Sequence, residues 1–186
     1  MHPYYKIISI PELAKISHEI DGALPQLITG AVDLKQVYSF NIIDTSRLLQ
    51  LSPALTSWLD SVGLTSHLKY AGLPCTAPHS SGSIHTDGKC VEAINLPVYN
   101  CDQGYSIWYQ ASCIGTITES TSGKSTNQQA EYVPYSHADA VELSRVSNQH
   151  PIWFNTSIPH RGVNLSNRPR IILTLRFDCP IPIDTL

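Results

Sequence analysis

The pattern of apolar and polar positions divides the chain near residue 65 into a helical region and a β-rich region. Two stretches before that point repeat apolar residues at helical spacing, PELAKISHEIDGAL from Pro11 and DTSRLLQLSPALTSWLDSVGL from Asp44. We predict that the first is a helix with Ser9 as N-cap and with Leu13, Ile16 and Ile20 on its buried face. The second is predicted to break in two at Pro53, because proline has no backbone N–H to donate.

Short alternating segments bounded by turn residues predict strands after residue 65. They are HLKYAGL, GSIHTD, VEAINLPVYN, GYSIWYQA, SCIGTITES, PIWFNTS and RIILTLRFD, and YYKIISI near the N-terminus reads the same way. The pattern leaves HADAVELSRV open between helix and strand. Together these elements predict a mainly β, α+β fold. It is one domain over 1–186, in which a helical region (residues 1–64) packs on a sandwich or barrel core (residues 65–180).

Composition narrows the possible functions. The net charge of −3 offers no basic footprint for nucleic acid, and no segment is apolar and long enough to cross a bilayer. The five cysteines include no CxxC pair, which argues against a disulfide framework and against a four-cysteine zinc site. Without a signal-peptide pattern we expect a cytoplasmic protein with reduced thiols.

The segment GSIHTD places a histidine and a carboxylate two residues apart, His85 and Asp87. On a strand these side chains share a face, with Cα atoms about 6.6 Å apart. One further histidine would complete a two-histidine, one-carboxylate set for a divalent first-row metal. Taken alone, such a pair is common in sequences and is more often a hairpin turn closed at Asp87–Gly88.

The missing histidine is predicted to be His160, in the segment 151–178. Arg170 follows ten residues later, at the start of an alternating strand on which it shares one face with Ile172, Thr174 and Arg176. We expect adjacent antiparallel strands to carry His160 and Arg170. A buried arginine needs an anion, and its planar fork matches a carboxylate. A short dicarboxylate bound between metal and arginine would explain the four residues together.

His85-x-Asp87, then His160, then Arg170 ten residues later resembles the iron(II)- and 2-oxoglutarate-dependent dioxygenases. The similarity covers about 68–178 and is closest to the phage and bacterial hydroxylases near the aspartyl/asparaginyl hydroxylase-like branch. It implies a double-stranded β-helix, or jelly-roll, core with helices on one side. It also implies that His85, Asp87 and His160 bind Fe(II) and form the catalytic centre, while Arg170 binds the 5-carboxylate of the co-substrate 2-oxoglutarate. The implied reaction uses O2, hydroxylates a C–H bond, and yields succinate and CO2.

The sequence departs from the family two residues after the arginine, where many members have serine or threonine and this chain has Ile172. A second partner for the co-substrate carboxylate is therefore sought elsewhere, among Tyr70, Tyr99, Trp108 and Thr174. Asn95 is a further candidate for lining the pocket. Asn155 and Asn164 flank His160 and are candidates either for orienting it or for forming turns. Arg168 is a rival to Arg170, and Cys90 is close enough in sequence to approach the metal.

Two other interpretations stay open on the sequence alone. One is a cupin-like metalloprotein that uses the same three ligands without 2-oxoglutarate, and the other is a non-catalytic jelly-roll module. For the dioxygenase we expect a small-molecule, peptide or protein substrate, with neither nucleic acid nor membrane as partner. The polar segment 115–137 is a candidate lid over the barrel mouth.

Overall fold

The computed structural model describes residues 4–28, 37–87, 91–116, 118–119, 131–182 and 186. Its helices are α1 (Leu13–Leu27), α2 (Thr45–Leu51) and α3 (Pro53–Ser61), followed by a 3-10 turn at Thr65–His67. Its strands are β1 (Tyr5–Ile7), β2 (Tyr38–Ile43), β3 (Leu68–Thr76), β4 (Ser80–Ser81), β5 (His85–Asp87), β6 (Glu92–Tyr99), β7 (Gly104–Gln110), β8 (Thr118–Glu119), β9 (Glu131–Pro134), β10 (Val141–Ser147), β11 (Ile152–Asn155), β12 (His160–Asn164) and β13 (Arg170–Phe177).

The strands form two antiparallel sheets. The major sheet has the order β1-β11-β6-β13-β3-β2, and the minor sheet has the order β10-β7-β12-β5-β9-β8, with β4 also paired to β12. The four strands β11-β6-β13-β3 and the four strands β10-β7-β12-β5 interleave along the chain, which is the connectivity of a double-stranded β-helix. The predicted mainly β, α+β jelly-roll class is confirmed.

The helices cover the outer face of the major sheet. Ile16 and Ile20 of α1 are fully buried, as the helical spacing predicted, in one core cluster with Leu173 and Leu175 of β13. Burying each such side chain contributes about 1.5–3 kcal/mol. Because alternate residues of a strand face opposite sides, the other set on β13 points into the barrel, and that set begins with Arg170.

The helix ends match the predictions only in some places. The break at Pro53 is confirmed, and the Ser52 hydroxyl accepts a hydrogen bond from the backbone N–H of Leu55 at the start of α3. Ser9 as the N-cap of α1 is wrong, since the helix begins later, with Glu12 at the cap position and no side-chain cap. The chain first makes a turn there, in which Leu13 N donates to Ile10 O.

The division at residue 65 is too simple. β1 and β2 lie in the predicted helical region, yet they extend the two edges of the major sheet by pairing with β11 and β3. β1 was predicted and β2 was not. The undecided segment HADAVELSRV contributes most of β10, which pairs with β7 from Val141 to Ser147 with a register shift between Glu142 and Ser144. Within the predicted strand SCIGTITES, the described residues form an isolated bridge at Cys113 and the short β8.

The prediction that adjacent antiparallel strands carry His160 and Arg170 is wrong. β12 pairs with β4, β5 and β7 in the minor sheet, whereas β13 pairs with β3 and β6 in the major sheet. The two strands therefore belong to opposite walls of the barrel. The Arg170 side chain reaches across the interior to β12 at Gly162, two residues from His160, and not through a shared ladder.

The candidate lid lies at the edge of the minor sheet where it is described. Within the candidate lid 115–137, residues 118–119 and 131–134 are strands at the edge of the minor sheet, while 117 and 120–130 lie outside the described residues.

None of the helices in the described part of the chain combines the length and the apolar character needed to span a bilayer.

Candidate metal centre

Three side chains with metal-ligating atoms converge inside the barrel. His85 on β5 lies directly opposite His160 on β12, and their ring centroids are 4.7 Å apart. Asp87 follows two residues after His85, on the same face of β5. One ligand atom from each of the three lies within 4.8 Å of the others, so they could hold a single ion on one face. The sequence predicted this triplet.

The hydrogen bonds of both histidines orient the ligating nitrogen. Nδ1 of His85 lies 2.9 Å from the carbonyl oxygen of Ser83, and Nδ1 of His160 lies 2.9 Å from that of Ile158. Because a carbonyl can only accept, each Nδ1 must carry the proton. The lone pair of each ring is therefore on Nε2, the tautomer that binds a metal through that atom.

His160 is held neutral by its surroundings. Burial and the neighbouring His85 lower its pKa to about 4, and Arg176 acts in the same direction, while Asp87 and the hydrogen bond to Ile158 oppose the change. The side chain is 7% exposed. Because the ring stays unprotonated at neutral pH, a metal ion would not have to compete with a proton for it.

Asp87 is anchored by an arginine to which no role was assigned from the sequence. The NH2 atom of Arg176 lies 2.6 Å from Oδ2 of Asp87, and both side chains are largely buried. The other oxygen, Oδ1, lies 3.7 Å from Nε2 of His85. One carboxylate oxygen is thus held by the arginine and the other faces the histidines. The only sequence signal was that Arg176 shares a face of β13 with Arg170.

Arg170 has a different environment at the other end of the same strand. It is 2% exposed, and its guanidinium donates to Oδ1 of Asn148 and, over 2.9 Å, to Oγ1 of Thr76. Both partners are neutral, and its Nε has no partner. Burial lowers its pKa, and no carboxylate among the described residues forms an ion pair with it. The rival Arg168 is exposed and donates to Asn100.

Two glycines make room for the Arg170 side chain across the barrel. A Cβ on Gly104 would lie 2.5 Å from its Cδ, and a Cβ on Gly162 would overlap its NH2 atom. Gly162 is two residues after His160 on β12, on the same face. The guanidinium therefore lies about one side-chain spacing, roughly 6.6 Å along the strand, from the proposed ligand His160.

Polar atoms without partners line the interior between the two arginines. Thr174 and Asn95 lie opposite each other on β13 and β6, and Oγ1 of the first and Oδ1 of the second are buried without hydrogen bonds. Such orphan atoms are uncommon in native interiors, and a polar molecule or a water between them would satisfy both. Both residues were candidates from the sequence.

Tyr38 is a further residue in this region, and it was not predicted from the sequence. It lies opposite Thr76 on the neighbouring strand, and its ring packs on Gly82. Burial raises the pKa of its hydroxyl above the usual range. The charge of Asp87 adds to the shift, and those of Arg170 and Arg176 oppose it. The Tyr38 hydroxyl is therefore close enough to Asp87 at the metal-ligand cluster and to Arg170 for both charges to affect its pKa. Tyr38 was missed because β2 lies in a segment whose pattern predicted only the helix after it.

The remaining predicted residues do not reach Arg170 through any contact described here. Trp108 is fully buried opposite His160, stacks on Tyr5 and donates to the Asn155 carbonyl, which places it in the barrel wall. Tyr99 lies under the guanidinium of Arg168. Of the two roles predicted for Asn155 and Asn164, the hydrogen bonds favour turn formation: Asn155 accepts from Ser157, and Asn164 bonds Ser166 and Arg168 and also the Thr76 carbonyl. Tyr70 lies opposite Arg176 and not Arg170, and Cys90 lies outside the described residues.

Comparison with known proteins adds structural similarities. No family profile matches the sequence, and no curated protein matches it. A prolyl-4-hydroxylase from Pseudomonas putida is similar with 13% identity and a TM-score of 0.43, over 95% of this chain and 93% of that chain. Vicilin from hazelnut, Corylus avellana, gives 9% identity and a TM-score of 0.41, over 77% and 29% of the two chains. An oxalate decarboxylase from Bacillus subtilis gives 10% identity and a TM-score of 0.36, over 77% of this chain and 26% of that chain.

This chain spans less than a third of the length of the vicilin and oxalate decarboxylase chains. At these identities and scores, the assignment of the fold rests on the strand order described above, and the chemistry rests on the side chains of this chain alone.

Proposed function

We propose that this protein is an iron(II)- and 2-oxoglutarate-dependent dioxygenase that hydroxylates a C–H bond of a protein side chain or of a small metabolite. One observation carries the proposal. A cluster of two histidines and one carboxylate lies in the same barrel as a fully buried arginine whose partners are all neutral. A metal alone would explain the first feature, and an anion beside the metal explains both.

The residues fit Fe(II) and 2-oxoglutarate. Nε2 of His85, Nε2 of His160 and one oxygen of Asp87 would hold the iron, since their protons and lone pairs are already arranged for ligation. Arg170 would bind the distal carboxylate of 2-oxoglutarate, which supplies the negative charge that its protein partners lack. When bound, iron and 2-oxoglutarate would supply the O2-dependent oxidation that converts the co-substrate to succinate and CO2 and hydroxylates the substrate.

The second carboxylate partner is proposed to be Thr76. Its Oγ1 accepts a hydrogen bond from Arg170, so its hydroxyl proton remains available to a carboxylate at the same place. Tyr38 lies directly opposite on β2 and presents a second hydroxyl with no hydrogen bond to another described residue. Thr76 and Tyr38 thus take the role for which the family often uses a side chain two residues after the arginine, where this chain has Ile172.

The other residues of the barrel position the ligands and exclude water. Arg176 fixes the carboxylate of Asp87, and the carbonyls of Ser83 and Ile158 fix the two imidazoles. The ring of Phe154 lies edge-on to His160 with centroids 5.3 Å apart. Apolar walls of this kind keep the site dry, which strengthens the electrostatic interactions inside it.

The test is turnover of 2-oxoglutarate to succinate by protein loaded with Fe(II), assayed with a panel of amino acids and peptides. We expect succinate formation that rises when a suitable substrate is added. His160→Ala should abolish iron binding and turnover, whereas His150→Ala, at an exposed histidine, should change neither. Full turnover by His160→Ala would refute the assigned site.

A cupin-like metalloprotein without 2-oxoglutarate is the alternative, because the three-ligand cluster by itself does not require a co-substrate. It predicts metal binding that depends on His85, Asp87 and His160, with no effect of 2-oxoglutarate on any property of the protein. A metal-loaded protein that neither binds nor consumes 2-oxoglutarate would favour it.

A further inference from the structure

A second group of metal-ligating side chains lies at the surface, where the ends of two paired strands meet. His67 immediately precedes β3, and Asp178 and Cys179 immediately follow β13. β3 and β13 run antiparallel, with Leu68 opposite Phe177. The pairing of the strands therefore brings an imidazole, a carboxylate and a thiol together, although they are more than a hundred residues apart in the sequence.

The distances within this group suit one ion. Nδ1 of His67 lies 3.0 Å from Oδ1 of Asp178, and a ligand atom from each of the three residues lies within 4.8 Å of the others. Around a tetrahedral zinc ion the ligand atoms would be about 3.4–3.7 Å apart, given bonds of roughly 2.0–2.3 Å. Side-chain rotations that move the ligand atoms by about 1 Å are sufficient to reach that geometry.

The backbone holds the group in place while the side chains stay accessible. The N–H of Asp178 donates to the carbonyl of His67 over 3.0 Å, which ties the two segments beyond the last ladder pair. The side chains of His67 and Asp178 are 46% and 59% exposed, and Cys179 is half-buried. An ion can thus reach all three from solvent without opening the barrel.

The donor set selects the class of ion. Ca²⁺ and Mg²⁺ prefer oxygen ligands only, whereas a thiolate with an imidazole and a carboxylate suits Zn²⁺ and similar borderline ions. Without a metal, the His67–Asp178 contact is a solvent-exposed pair that contributes little to stability, and it makes no use of the thiol.

We propose that His67, Asp178 and Cys179 form a second metal site, for a zinc-class divalent ion, with water in the remaining position. It clamps the beginning of β3 to the end of β13. The proposal is independent of the dioxygenase function, because none of its residues belongs to the cluster inside the barrel.

Co²⁺ distinguishes the two sites by spectroscopy. Cobalt bound to a thiolate gives a near-ultraviolet charge-transfer absorption, and the cluster of His85, Asp87 and His160 contains no sulfur. We expect this absorption when Co²⁺ alone is added to the reduced wild-type protein, and also in His160→Ala, in which the inner cluster is broken. A failure of the dioxygenase proposal would leave this result unchanged.

Variants assign the absorption to its ligands. Cys179→Ser should abolish it and His67→Gln should remove it at the same cobalt concentration, while Cys113→Ser, at an exposed thiol elsewhere, should leave it intact. Circular dichroism checks that each variant is folded, and the His67 variant provides a second test should the cysteine variant not fold. No absorption in the wild type, or absorption that survives either ligand substitution, would overturn the proposal.

Discussion

The two arginines on the inward face of β13 are buried to the same degree, and yet their electrostatic surroundings differ. Arg170 is 2% exposed and Arg176 is 4% exposed. Arg176 lies 2.6 Å from the carboxylate of Asp87, whereas Arg170 is bonded only to a neutral amide and a neutral hydroxyl. Since burying an uncompensated charge is costly, this contrast is the reason for proposing an anionic ligand for Arg170 and a structural partner, Asp87, for Arg176.

Each arginine is thereby assigned to a different partner of the proposed reaction. Arg176 acts through Asp87, so its effect should appear in the stability of the metal-free protein and in metal binding. Under the proposed function Arg170 binds the distal carboxylate of the co-substrate, so its substitution should remove the response of the protein to a dicarboxylate. Four measurements test this division of roles, and they follow in order of decreasing expected effect.

The largest effect is expected from Arg176→Leu. It leaves the buried carboxylate of Asp87 without its counter-charge, and the free energy of unfolding of the metal-free protein should fall by about 3–5 kcal/mol. Urea unfolding in the presence of a chelator measures it. Arg145→Leu is the control, because Arg145 forms an ion pair with Glu142 at the surface and its substitution should cost at most about 1 kcal/mol. Equal losses in the two variants would contradict the assignment of Arg176.

Stabilisation by 2-oxoglutarate is the next effect in size. At a concentration about 100 times its dissociation constant, it should stabilise the metal-loaded wild-type protein by about 2.7 kcal/mol against unfolding. Arg170→Met should lose this response and retain the stabilisation by metal alone. Pyruvate, which has the same 2-oxo acid group without the distal carboxylate, should act much more weakly on the wild type. An undiminished response in Arg170→Met would mean that the arginine is structural.

The pH dependence of the free energy of unfolding tests the environment of His160 in the metal-ligand cluster. The pKa of His160 is lowered to about 4 from 6.5 by burial, by His85 and by Arg176. Between these values the unfolded chain takes up a proton that the folded protein excludes. Its contribution to stability is therefore complete above pH 6.5 and is lost as the pH falls toward 4.

Between pH 7 and pH 5 this loss amounts to about 2 kcal/mol. Urea unfolding of the metal-free protein at both values measures it, and His160→Asn, which cannot titrate, should show a correspondingly weaker dependence. The same pH dependence in the variant as in the wild type would show that His160 is not the responsible group.

The smallest effect is expected from Gly162→Ala, which adds a methyl group where the NH2 atom of Arg170 lies. Displacement of the guanidinium should raise the KM for 2-oxoglutarate by on the order of tenfold or more, with iron binding unchanged. Gly22→Ala is the control, because a Cβ at that helical glycine meets no atom within 4 Å. A KM equal to that of the wild type would place the co-substrate elsewhere.

Several residues of this site were predictable because the information was local or was carried by a family pattern. His85 and Asp87 are two residues apart on one strand, so their shared face follows from strand geometry alone. His160 and Arg170 followed from the resemblance to a known spacing. The structure brings all four side chains into one barrel, although the predicted neighbouring strands turned out to be opposite walls.

The partners of Arg170 were not predictable, because they come from distant regions of the chain. Thr76 is 94 residues away and Asn148 is 22 residues away. Gly104 and Gly162 read in the sequence as ordinary strand or turn glycines, and only the folded barrel shows that the arginine occupies the space above them. Tyr38 was missed for a related reason, since β2 was not recognised as a strand.

Local sequence was enough to specify the class of fold, the buried face of α1, the break at Pro53 and the shared strand face of His85 and Asp87. These properties depend on periodicity, on proline chemistry and on short spacings, all of which act within a few residues. Only the folded chain shows which arginine is neutralised, which hydroxyls stand beside the other, and that His67 meets Cys179. Such outcomes depend on how strands pair and how sheets face each other, and no local pattern encodes them.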